Sequence, residues 1–232
     1  MDKLLFGALP YVLLAVGIVG AIYRYNSNRF TWSTQSSQFL ENRTLFFGSF
    51  PWHYGIITIL LAHFVGFLIP SSVLAWNSVP VRLYIFEASG LALGFLALFG
   101  LLALIYRRLT NSRAKAVTTG WDALLLIVLL IQVVTGLMNA MLYRWGSNWY
   151  AASAAPWMWS VIKLNPEVEY VASLPLFTKV HIFNAMLIVC LIPFTRLVHL
   201  FVINIYKYLV RPYQVVRWYS RDPKTENVVQ YK

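Results

Sequence analysis

The chain has 232 residues, 59% of them hydrophobic and only 12% charged, with a net charge of +11 and a mean hydropathy of +0.62. So few charges cannot solvate the surface of a soluble body this size, and a disordered chain would be polar instead of apolar. The basic balance does not point to nucleic acid, because the charges fall between long apolar runs, and the lone Cys190 excludes an internal disulfide or a cysteine-ligated zinc or iron–sulfur site within the chain.

A helix needs about 20 apolar residues to cross a hydrocarbon core about 30 Å thick, and five stretches meet that length. The first, Leu4 to Tyr23, reads as a retained helix rather than a signal peptide, since only Asp2 and Lys3 precede it and no small-x-small cleavage site comes before Arg24. The second runs from Pro51 to Pro70, the third from Leu83 to Tyr106 and the fourth from Trp121 to Tyr143. The loop from Arg144 to Leu176 is long, aromatic and punctuated by proline, so it is expected to lie on the membrane surface as a lid. The fifth span runs from Phe177 to about Tyr206, and residues 207–232 form a basic tail expected to dock to a cytoplasmic partner. The fold class is therefore an all-α integral membrane protein, a multi-pass bundle of five transmembrane helices over residues 1–206.

Lysine and arginine are enriched in cytoplasmic loops. The first and third loops and the tail hold thirteen of them, against Lys3, Arg82, Arg144 and Lys163 on the other side. This predicts the N-terminus outside and the C-terminus in the cytoplasm. Trp52 and Trp121 at one interface, with Trp76, Trp145, Trp149, Trp157 and Trp159 at the other, read as aromatic belts.

All four histidines fall inside predicted spans, His53 and His63 in the second, His181 and His199 in the fifth. An ionisable group in a span is costly and usually functional; interhelical hydrogen bonding suffices for one such residue, but not for four shared two and two. The second span runs outward and the fifth inward, so antiparallel neighbours pair His63 with His181 and His53 with His199. Within each span the histidines are about 15 Å and about 27 Å apart, the latter five whole turns on one helix face. A tilt or a bend must reconcile those separations, and Pro193 lies where a kink would form. Zinc or copper would need further ligands, and a proton relay would need acids at mid-depth, whereas Glu87 and Asp122, the only acids in the spans, lie near span ends. Haem needs only axial protein ligands, and two bis-histidine haems stacked across the bilayer make an electron path. Without a C-x-x-C-H motif the haems would be of type b. Gly55, Ala62 and Gly66 beside the ligands suit either a flat macrocycle or close helix packing.

With the histidine spacings go the segments RYNSNRFTWSTQSSQFL, HYGIITILLAHFVGFLIP, RRLTNSRAKAVTTGWD, KVHIFNAMLIVCLIPFTRLVH and PYQVVR. Over nearly its whole length the sequence resembles the gamma subunits of respiratory nitrate reductase, dihaem cytochrome b membrane anchors. The resemblance implies that His63 and His181 hold a distal haem b and His53 and His199 a proximal one. It implies further that menaquinol or ubiquinol is oxidised near the outer face of the prokaryotic inner membrane. Electrons then pass to a cytoplasmic iron–sulfur subunit, to which the tail docks, and on to a molybdopterin subunit that reduces nitrate; this chain alone does not. Arg82 stands where the family has a quinol-site lysine, and Arg108 is implied as a haem-propionate partner. Arg196, one turn before His199, is placed to play the same part. A nitrite-oxidising complex with reversed electron flow, a haem-free anchor, and a dihaem cytochrome of another molybdenum or sulfur-metabolising complex are the alternatives.

Overall fold

The computed structural model describes residues 1–28, 31–32 and 43–202. The expected docking tail, 207–232, and the end of the fifth predicted span lie outside the described residues. Among those described, every regular element is helical. A π-helical turn over Lys3–Ala8 leads into α1 (Leu9–Ser27), followed by α2 (Arg43–Leu68), α3 (Pro70–Asn77), α4 (Pro80–Thr110), α5 (Ser112–Ala116) and α6 (Gly120–Leu142). Short helices α7 (Gly146–Trp149), α8 (Ala155–Ile162) and α9 (Glu169–Ala172) precede α10 (Leu176–Leu191) and α11 (His199–Val202).

Among the described residues five stretches are long and apolar enough to cross a membrane: Lys3–Ser27, Thr44–Leu68, Pro80–Thr110, Gly120–Leu142 and Leu176–Phe194. Large apolar side chains stay exposed along them, among them Leu14, Leu61, Phe99 and Ile127, as lipid-facing surfaces require. The second span begins before Pro51, which lies inside α2 rather than opening it. α2 runs from the His53 end of the bundle to the His63 end.

Packing follows the small residues. α2 lies chiefly on α4, and α6 joins α4 to α10, which also carries α1. At the α2–α4 crossing a Cβ on Gly100 would fall 2.4 Å from the Trp52 nitrogen, and one on Gly55 2.8 Å from the Leu93 carbonyl. Neither position tolerates a side chain, so the backbones approach as small residues allow in membrane bundles. Gly55 therefore serves helix packing, and a Cβ on Gly66 would fall 3.0 Å from the Tyr150 ring. Trp52, Ala97, Leu101, Val133 and Leu137 fill the space between α2, α4 and α6.

The fifth span departs from the expected continuous helix. Pro193 has no N–H to donate and its ring crowds the preceding turn. The α-helix ends at Leu191, a 3₁₀ turn covers Ile192–Phe194, and Thr195 is extended before a second 3₁₀ turn over Arg196–Val198. His181 and His199 thus do not share the face of one helix. The break is closed by side chains: Thr195 Oγ1 donates to Leu191 O at 2.9 Å, and the Arg24 guanidinium donates to the carbonyls of Pro193 and Thr195. Those carbonyls would otherwise be left orphaned by the lost helix.

The segment 144–176 is largely helical and packs on the ends of the spans. Trp157, 3% exposed, donates from Nε1 to Phe6 O and meets the Phe6 ring edge-on. Trp159 stacks on Phe67 and donates to its carbonyl at 2.9 Å. Trp52 and Trp157 are core residues rather than belt residues, each filling a packed cluster.

Candidate functional site

The structure brings the four histidines together in two pairs. The rings of His53 and His199 lie 6.3 Å apart between centroids, inclined at 73°. An imidazole nitrogen binds a transition metal at about 2 Å, so two imidazoles on opposite sides of one ion place their ring centres about 6 Å apart. The observed separation matches that spacing. At the other end, His63 and His181 are close enough to interact electrostatically. The helices that carry His63 and His181, α2 and α10, are not main packing neighbours, and His199 stands on α11 beyond the end of α10. Among the described residues no group of three or more His, Cys, Asp or Glu side chains could hold a metal ion, so each pair suits a group that brings its remaining ligands with it.

Every histidine has its Nδ1 engaged. His53 Nδ1 donates to Ser49 O at 2.7 Å, His63 Nδ1 to Ile59 O at 2.8 Å, and His199 Nδ1 to Arg196 O at 2.6 Å. A carbonyl only accepts, so Nδ1 carries the proton and Nε2 the lone pair. Metal-binding histidines are oriented in this way, through the nitrogen that does not bind the metal.

His181 is held by a different helix. Its Nδ1 lies 3.1 Å from Thr135 Oγ1, whose own proton goes to Ile131 O at 2.7 Å. The Gln132 amide meets Nε2 at 3.1 Å, and Asn184 Nδ2 donates to Gln132 Oε1 at 2.7 Å and to Val128 O at 2.9 Å. One turn away, Thr178 Oγ1 donates to Asn139 Oδ1 at 2.9 Å. Gln132, Thr135 and Asn139 on α6 thus face Thr178, His181 and Asn184 on α10, a polar seam between two apolar helices. Both sets recur at helical spacing in the sequence, three or four residues apart. That periodicity is the signal by which they could have been found.

At the His53 end, Asp122 gathers the arginines. Arg196 makes a two-pronged pair with it, Nε to Oδ1 at 2.6 Å and a terminal nitrogen to Oδ2 at 3.0 Å, and also reaches Val117 O. Arg108 lies 3.5 Å from Oδ2 and donates to Thr118 Oγ1. Asp122 also caps α6 through a reciprocal pair of bonds with Thr119. One carboxylate against two guanidinium groups leaves the cluster net positive, and the carbonyl of Arg196 orients His199.

At the His63 end, Arg82 stacks over Trp76, its guanidinium carbon 4.5 Å from the ring centre. Tyr150 sits edge-on to His63, ring centres 5.0 Å apart, and donates to His63 O at 3.0 Å. Burial pushes its phenol up to about 12, so it remains a donor at neutral pH. The segment is anchored by Glu87, whose carboxylate accepts from Gly146 N, Ser147 N and Ser147 Oγ.

A family model, the nitrate reductase gamma subunit, matches residues 2–219. The nitrate reductase gamma chain of Bacillus subtilis (strain 168) is 35% identical over 218 residues, covering 93% of this chain and 97% of that one. The respiratory nitrate reductase 1 gamma chain of Escherichia coli (strain K12) is 32% identical over 222 residues, 94% and 97% of the two chains. A nitrate reductase-like protein, NarX, of Mycobacterium tuberculosis is 34% identical over 225 residues, 94% of this chain and 34% of that longer one.

Proposed function

The chain belongs to the nitrate reductase gamma subunit family, and from that membership and its two histidine pairs we propose that it is a dihaem cytochrome b that oxidises quinol. The observation that carries the reading is the pairing itself: two imidazoles with ring centres 6.3 Å apart at one end, and two more within electrostatic range of each other at the other. His63 and His181 would hold the distal haem and His53 and His199 the proximal one. When bound, the two haems supply one-electron carriers at two depths of the bundle. Each histidine is held with Nε2 as its basic nitrogen, and two such ligands on one iron would leave no open position for oxygen.

Quinol is assigned to the distal side, with Arg82 as the charged residue beside it. With the N-terminus outside, as the distribution of lysine and arginine supports, the two protons of each quinol leave outward while its two electrons pass inward, which charges the membrane. The net-positive cluster of Arg108, Arg196 and Asp122 suits propionate carboxylates on the proximal side. The electrons leave to an iron–sulfur subunit, since one cysteine cannot ligate such clusters here, and nitrate is reduced on a separate molybdopterin subunit. The test is anaerobic addition of a reduced quinone analogue to membranes containing the whole complex, following b-type absorbance. His63→Ala should abolish quinol-driven reduction through the distal haem; undiminished reduction would overturn the assignment.

A further inference from the structure

Three of the four histidines are turned by a carbonyl three or four residues earlier on their own chain, a bond that many helical histidines form. His181 forms no such bond. Its orientation comes from α6, where Thr135, 7% exposed, has spent its proton on Ile131 O and turns a lone pair to His181 Nδ1. The neighbouring Gly136 lets the ring lie against the helix, since a Cβ there would be 3.0 Å from His181 Cε1. Gln132, held by Asn184, closes the remaining edge at Nε2.

We propose that Thr135 is a positioning residue for the distal haem, acting through His181 by taking its Nδ1 proton and fixing Nε2 as the ligand atom; this rests on the dihaem reading above. Iron and the Gln132 amide both seek Nε2, whereas Thr135 serves Nδ1 with either. An acceptor at Nδ1 makes the ligating nitrogen more basic, which favours the more oxidised iron. Removing it should raise the potential of that haem alone, because His53, His63 and His199 keep acceptors of their own.

The experiment is a redox titration of b-type absorbance in the intact complex, with haem counted against protein, for the unaltered chain, Thr135→Val, Thr135→Ser and His181→Ala. His181→Ala identifies the distal component. In Thr135→Val that component should shift to a more positive potential by about tenfold in its ferric-to-ferrous ratio, about 59 mV for one electron, with the other component unmoved. Thr135→Ser, which keeps the hydroxyl, should restore the native value. Selective loss of the distal haem in Thr135→Val with retention in Thr135→Ser supports the proposal equally. Two haems at native potentials in Thr135→Val, an equal shift of both, or a serine variant no different from valine would overturn it while leaving the dihaem reading standing. Fewer than two haems in the unaltered complex would remove that reading, and the proposal with it.

Discussion

At the His53 end both histidines are turned by carbonyls of their own chain, and His199 stands on a short segment beyond a broken helix. At the His63 end His181 lies within an unbroken helix and is gripped by side chains of another. The first site depends on what holds the break in place, namely Arg24 on the carbonyls of Pro193 and Thr195 and Asp122 on Arg196. The second depends on a buried seam that ties α10 to α6. The two sites should therefore fail separately, and for different reasons.

The largest effect tests the pairing on which the comparison stands. Replacing His63 or His181 by alanine should remove the same spectral component, and replacing His53 or His199 the other, leaving one haem per chain each time; any crossed pattern would break the pairs. Next is Asp122→Asn, which leaves two guanidinium groups facing an uncharged partner. Removing one partner of a largely buried pair costs about 3 kcal/mol or more, so thermal unfolding should move down clearly, with the His53–His199 haem perturbed before the other. Arg24→Leu orphans two carbonyls at the break, at about 2 kcal/mol for bonds from a charged donor, and haem retention should again fall at the His53 end only. The smallest effect sharpens the other side: Gly136→Ala places a methyl 3.0 Å from His181 Cε1, so the ring must give by a few tenths of an ångström. Ferric electron paramagnetic resonance should show one altered low-spin signal, that of the distal haem.

The five spans were legible because hydropathy and length suffice to find them, and the approach of His53 to His199 because four histidines on two opposed spans leave few arrangements. Pro193 marked the bend but not its form: the two 3₁₀ turns and extended Thr195 depend on Arg24, 169 residues from Pro193, and no local pattern announces such a contact. Asp122 read as an acid near a span end; its clamp on Arg196 joins positions 74 apart. Trp157 and Trp159 matched the belt pattern in composition, yet hydrogen bonds to Phe6 and Phe67 place them against the π-helical turn before α1 and the end of α2. Gln132, Thr135 and Asn184 were passed over because single polar residues in apolar helices draw little notice until the facing helix is known.

The most direct measurement is a pyridine haemochromogen determination on the purified complex, normalised to this subunit. The account predicts about two haems, both of type b, per chain. One haem or none in a folded, membrane-inserted preparation would contradict it.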